Sequence, residues 1–113
     1  MKNFTFLALF LFFFNGINAQ IINIPDANFK VKVVAASPSN NIATDINYNP
    51  ITIDTNANGE IEVGEANQVY RLNIQNSSIS SLEGIRSFSN LIDLQCFSNQ
   101  LYSLDLTGLN NLR

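Results

Sequence analysis

Between Asp54 and Glu65 the chain carries oxygen-bearing side chains at close, regular intervals: Asp54, Asn56, Asn58, Glu60, Glu62 and Glu65, with Gly59 at the midpoint. The run satisfies D-x-[DN]-x-[DN]-G-x5-E at every defined position. Alternate residues can turn their oxygens toward one centre when the chain curls, and a glycine permits the sharp bend. An all-oxygen set of carboxylates and amides suits a hard divalent cation such as calcium, which takes six to eight oxygen ligands. Four carboxylates in so short a loop repel one another unless a cation or hydrogen-bond donors compensate them.

Little other chemistry is open to this sequence. There is no His, which removes imidazole catalysis and His-ligated metals. A single Cys, Cys96, allows neither an intramolecular disulfide framework nor a thiolate-cluster zinc site. The formal charge is −3, which argues against a broad basic face for nucleic acid or anionic membrane. Asp93 and Asp105 are the one carboxylate pair to weigh as general acid and base, but no further catalytic group accompanies them. No catalytic set is expected, so the chain is not read as an enzyme.

The elements that must position the acidic loop begin after residue 19. Met1-Lys2, the apolar run Phe4–Phe14 and the small residue Ala19 form the pattern of a secretory signal peptide over residues 1–19. Its removal takes six of the nine Phe residues and Lys2. The apolar run is too short to span a bilayer and no second one follows. Residues 20–53 read as a short helical cap and a loop. Pro25-Asp26 starts the helix with Asp26 as N-cap. Ala27, Val31, Val34 and Ala35 are expected on its apolar face, and Ser37-Pro38-Ser39-Asn40-Asn41 stops it. Turn formers dominate through Asn47-Tyr48-Asn49-Pro50, and Ile51 and Ile53 predict a short extended stretch.

The segment 69–113 is periodic. Leu91, Leu94, Cys96, Asn99, Leu101, Leu104 and Leu106 follow L-x-x-L-x-C-x-x-N-x-L-x-x-L-x-L, and Leu109 and Leu112 extend the spacing. A preceding unit places Val69, Leu72, Ile74, Ser77, Ile79, Leu82, Ile85 and Phe88 in the same register. Leu94 and Cys96 share one side of a strand, while Asp93, Gln95 and Phe97 share the other. One such unit is too thin to bury its own apolar side, so stacking of successive units is expected. Register puts Cys96 inside as an inert filler. Asn99 can bridge backbone groups within the stack; Ser77, shorter, marks the first unit as an atypical edge.

These two units resemble the leucine-rich repeat family over about residues 69–113. The resemblance implies a strand at Leu94-x-Cys96 and a concave partner-binding face made by Arg71, Asn73 and Gln75 in one unit and by Asp93, Gln95 and Phe97 in the next. Residues 54–65 resemble an EF-hand or dockerin-type calcium loop. That likeness implies side-chain oxygens from Asp54, Asn56 and Asn58, the backbone carbonyl of Glu60, Glu62 directly or through water, and both oxygens of Glu65, with Ile61 tying the loop to the core. Pro50 stands where an entering helix belongs, only about Val63–Val69 is left for an exit helix, and no second loop is present to pair with this one. The stretch Ile24-Pro25-Asp26-Ala27-Asn28-Phe29-Lys30, with Asp54–Ala66 running into the repeats, is similar to the opening of secreted bacterial leucine-rich repeat proteins of the internalin-like kind.

The expectation is an α/β repeat fold: a leucine-rich repeat solenoid of short parallel strands behind a helical cap and a calcium-type loop. The expected function is a secreted or cell-surface module that binds an extracellular protein or glycan, with calcium as a structural ion. The other reading makes it the targeting arm of a secreted enzyme with its catalytic domain downstream. The chain is expected to be the N-terminal portion of a longer protein, with further repeats following Arg113. Neither nucleic acid nor a transmembrane segment after signal cleavage is expected.

Overall fold

The computed structural model describes residues 20–113; the expected signal peptide, residues 1–19, lies outside them. An extended N-terminal stretch leads into helix α1, Ala27–Val34. Asp26 caps it: Oδ1 accepts from the N–H groups of Asn28 (2.9 Å) and Phe29 (3.0 Å). At the other end the Asn40 amide closes the turn, donating to the Ala35 carbonyl at 2.9 Å and accepting from the Ser37 N–H at 3.1 Å.

The buried face of α1 differs from the expected one. Phe29 and Val33 are wholly buried and Ala36 follows them inward; of the expected residues Val34 packs partly against the core, while Ala27 and Ala35 are exposed and Val31 is 68% exposed. The spacing i, i+4, i+7 is equally helical. Phe29, the largest apolar side chain in the segment, decides between the two stripes because it gains most from burial.

A two-stranded antiparallel contact then appears inside the stretch expected to be loop. Strand β1, Ala43–Thr44, pairs with β2, Arg71–Asn73, with Ala43 opposite Leu72 and Thr44 opposite Arg71. Two residues carry no readable alternation, so nothing local announced it. Pro50 makes an isolated bridge to Thr44, and the Ile51 N–H donates to the Ala43 carbonyl at 3.0 Å. The expected extension at Ile51–Ile53 is thus absent as a strand: the single bridge falls one residue earlier, at Pro50, and Ile53 is buried. Helix α2, Val63–Ala66, is the short exit helix after the acidic loop.

Strand β3, Asp93–Gln95, lies parallel to β2 with Arg71 opposite Asp93, Leu72 opposite Leu94 and Asn73 opposite Gln95, giving the sheet order β1-β2-β3. This is the 22-residue register of the repeat. Between β2 and β3 the chain returns through a 3-10 turn, Ile85–Ser87. All the apolar positions of the first unit, from Val69 through Phe88, are buried, as is Leu91 at the start of the second. Those of the second unit divide: Leu109 is buried, Leu94, Cys96, Leu101, Leu106 and Leu112 are half-buried against the core, and Leu104 is 50% exposed. Cys96 is therefore not the fully enclosed filler expected from register, because none of the described residues packs on the far side of the second unit.

Asn99 behaves as its position predicts. Its Oδ1 accepts from the N–H groups of Ser77 (2.9 Å) and Ile79 (3.1 Å), and its Nδ2 donates to the carbonyls of Ile74 and Cys96, both at 2.9 Å. Ser77 reaches only the Gln75 carbonyl two residues away. On the cap side of the first unit the corresponding work falls to α1: Asp26 Oδ2 accepts from Ser80 and Ser81, and Asn28 Nδ2 donates to the Ser78 carbonyl.

Candidate functional site: an acidic loop and an outward strand face

The acidic loop is folded back on itself. Asp54 Oδ1 accepts from the Asn58 N–H (3.3 Å) and Oδ2 from the Gly59 N–H (2.9 Å), which rolls the first half of the loop around its carboxylate. Gly59 has φ +80° with open space around it, as the bend requires. Glu65 reaches from the end of the loop to its start: Oε2 accepts from the backbone N–H and hydroxyl of Thr55 at 3.0 and 3.1 Å, and Oε1 from the Glu62 N–H at 3.0 Å. Glu62 accepts from the side-chain amides of Asn56 (3.0 Å) and Asn58 (2.8 Å). The Glu60 carboxylate turns away to form an ion pair with Lys30 of α1. Ile61 is wholly buried.

Five of the six expected ligand residues, Asp54, Asn56, Asn58, Glu62 and Glu65, are thus linked to the loop's own groups, while Glu60 has only its backbone to offer inward. Among the described residues no three acidic or thiol side chains are gathered as a metal-holding set. The donor chemistry nevertheless fits a hard cation. Asp54 and Glu62 are 7% and 4% exposed, and among the described residues neither is in an ion pair. Their partners are neutral N–H groups, so the two buried carboxylates have hydrogen bonds but no counter-charge. An open cleft of about 290 Å³ reaches Asn56, Glu62 and Glu65 from solvent.

The second candidate is the outward face of β2 and β3. Arg71, Asn73, Asp93 and Gln95 lie side by side there, as parallel register demands. Phe97 is 61% exposed, just past β3. Gln75 is less available than expected: its Oε1 is buried without a partner. Tyr48, which sequence reasoning left in a loop, joins the face. The Arg71 guanidinium lies 3.4 Å above the centre of its ring and donates to the Asp45 carbonyl at 3.2 Å. Tyr48 has φ +68°, held by the Asp45 turn in which Oδ1 accepts from Asn47 and Asn49. These bonds, the Asn49 N–H foremost, hold the Asp45 carboxyl below its ordinary range against the opposing effect of burial, with Arg71 assisting. Asn41, Thr44 and Tyr48 border a cleft of about 210 Å³ with the four strand residues. No spacing rule links Tyr48 to Arg71; only β1 brings them together. Asp93 belongs to this cleft, whereas Asp105 lines another one with Arg86 and accepts from Thr107, so they do not form a catalytic pair.

Comparison of the sequence with family models and with curated proteins found no match. Solved structures do match. An internalin, inlF, from Listeria monocytogenes is 19% identical, with a TM-score of 0.58 over 79% of this chain and 22% of that one. The functional domain of InlJ from Listeria monocytogenes, which includes a cysteine ladder, is 26% identical, with a TM-score of 0.58 over 84% of this chain and 18% of that one. The chain therefore spans about a fifth of the length of these neighbours, and its fold is of the internalin-like leucine-rich repeat type. Among the described residues no helix is long and apolar enough to cross a membrane.

Proposed function

We propose that this chain is an exported binding module: a leucine-rich repeat surface that takes an extracellular protein or glycan on its outward strand face, continued by further repeats into a solenoid. The observation that carries this reading is the in-register alignment of Arg71 with Asp93 and Asn73 with Gln95, flanked by the exposed ring of Phe97. Repeated polar positions beside an exposed aromatic are what an interface anchor requires. The likeness to internalins supports the same reading, which has no catalytic role in it. The other reading, a targeting arm of a secreted enzyme, keeps the same face and adds a downstream domain.

The acidic loop holds one calcium ion in this proposal, as a structural element of the cap. Asp54, Asn56, Asn58, the Glu60 carbonyl, Glu62 and Glu65 supply the oxygens. Asn56 and Asn58 turn their amides so that Oδ1 replaces Nδ2 in the loop. The ion supplies the counter-charge that Asp54 and Glu62 lack.

The face is tested by immobilising the chain and measuring retention of a panel of purified polysaccharides and bacterial or host surface proteins. Variants Phe97→Ser and Arg71→Ala should lose a retained ligand, while Tyr102→Ser, exposed on the return of the second unit, should keep it. Equal retention by all three would place binding elsewhere.

A further inference from the structure

The loop has no second loop to pair with, yet its apolar strand is not unpaired. Ile21 bridges Glu62 in antiparallel fashion. On either side, the Ile22 N–H donates to the Ile61 carbonyl at 2.8 Å and the Val63 N–H donates to the Gln20 carbonyl at 2.9 Å. Ile22 and Ile24 are buried, and Ile61 against them is wholly so. The same N-terminal stretch reaches the return of the first repeat. The Asn23 carbonyl and the Ile22 and Ile24 side chains press on Gly84 so closely that a Cβ there would meet the Asn23 oxygen at 2.8 Å. Asn23 Nδ2 also donates to Glu83 at 3.3 Å.

We propose that the strand Gln20–Ile24 is the missing partner of the cation loop, so that docking of this strand and uptake of calcium by Asp54–Glu65 are one coupled equilibrium. The inference rests on the calcium reading above. Glu62 is the link. Its backbone is held between the two strand hydrogen bonds, its N–H goes to Glu65, and its carboxylate receives Asn56 and Asn58. With the strand undocked, the Ile61 carbonyl and Val63 N–H lose their partners and the buried side of Ile61 opens. Glu62 and Glu65 then lose the backbone that sets their positions. Linkage makes the effect reciprocal: whatever the docked strand adds to cation affinity, the cation adds to docking. Because the strand also grips Gly84, the ion is felt at the first repeat, well beyond the loop that binds it.

Val63 offers a clean test. It is the first residue of α2, a position that accepts proline, and Glu62 before it is already extended at φ −89°, ψ 159°. Val63→Pro in the full chain removes the N–H that reaches Gln20, whereas Val63→Ala keeps it. Calorimetric titration with calcium chloride, paired with hydrogen exchange of peptides covering 20–24 and 60–66, reads both sides of the equilibrium. Expected are a loss of affinity of about 5- to 150-fold for Val63→Pro, near-parental affinity for Val63→Ala, and calcium-dependent protection of the Ile22 amide in the parent. Normal uptake by folded Val63→Pro, or uptake by the parent that leaves Ile22 exchange unchanged, overturns the coupling and leaves the calcium reading intact. No uptake by the parent at millimolar calcium removes both. If Val63→Pro does not fold, the parent's exchange at Ile22 with and without calcium decides alone.

Discussion

Asp26 and Ser80 lie fifty-four residues apart in sequence and are joined by a 2.8 Å hydrogen bond from the Ser80 N–H to Oδ2. The other oxygen of the same carboxylate starts helix α1. One side chain therefore both begins the cap and fastens it to the first repeat.

Removing that carboxylate should cost more than an ordinary helix cap. Asp26→Ala loses the cap, worth about 0.5–2 kcal/mol, and leaves the Ser80 and Ser81 N–H groups without their charged acceptor. A total of about 2–4 kcal/mol is expected by urea denaturation. Burial raises the Asp26 carboxyl, but the N–H groups of Phe29, Ser80, Ser81 and Asn28 outweigh it and hold it below its ordinary value of 3.8. A carboxyl lowered on folding gives stability that is whole above its unfolded value and is lost as pH falls through the folded one. The deficit of Asp26→Asn relative to the parent should therefore be constant near neutrality and shrink below about pH 4. A deficit independent of pH would show that the charge contributes nothing.

Asn99→Ala should be the most damaging polar substitution in the repeats. It strands the N–H groups of Ser77 and Ile79 and the carbonyls of Ile74 and Cys96 between two stacked units. About 2–4 kcal/mol is expected in thermal or urea unfolding, against under about 1 kcal/mol for Ser77→Ala, whose hydroxyl serves one local carbonyl. Equal losses would mean that the Asn99 bridge does not hold the units together.

The glycines separate crowding from backbone conformation. Gly59→Ala meets open space and only the left-handed backbone opposes it, at about 1–2 kcal/mol. Gly84→Ala has φ +103° and also drives a Cβ to 2.8 Å from the Asn23 oxygen. The second should lower the melting temperature clearly more than the first, and it should do so by releasing the N-terminal strand, visible as faster amide exchange at residues 20–24.

Calcium uptake at the loop is expected in the range of extracellular modules, with Kd about 10⁻⁴–10⁻³ M. Glu65→Gln should weaken it most, because Glu65 is the group that spans the loop from end to start, with Asp54→Asn next. Absence of heat in calorimetry and of any calcium-dependent melting shift at millimolar ion would remove the site.

How much of this was legible in the sequence depended on the range over which each signal acts. The register of the first unit was readable, since Leu72, Ile74, Ile79, Ile85 and Phe88 all fall inside as spaced, whereas Cys96 and the leucines around it in the second are only half-covered. Asp26 as N-cap and Gly59 as the bend were readable because both answer local backbone needs. The buried stripe of α1 was misread in part: two stripes were equally periodic, and only burial in the tertiary core makes Phe29 the deciding residue. Strand β1 and the Tyr48–Arg71 stack were invisible because two residues have no period and the stacking partner is supplied by tertiary pairing. The pairing of Gln20–Ile22 with Ile61–Val63 was equally hidden, being a contact between segments with no shared pattern.

Strand β1 runs opposite to β2, whereas β3 runs with it. Its free edge is taken up by the Pro50 bridge and by the Ile51 N–H bonded to the Ala43 carbonyl. The ladder thus has polarity. On the β1 side the edge is reversed in direction and already closed, so another parallel strand finds no template there. On the β3 side the hydrogen-bonding groups keep the orientation that the repeat propagates. The sheet is thus closed on its cap side by a reversed strand, which denies stray chains an open edge there.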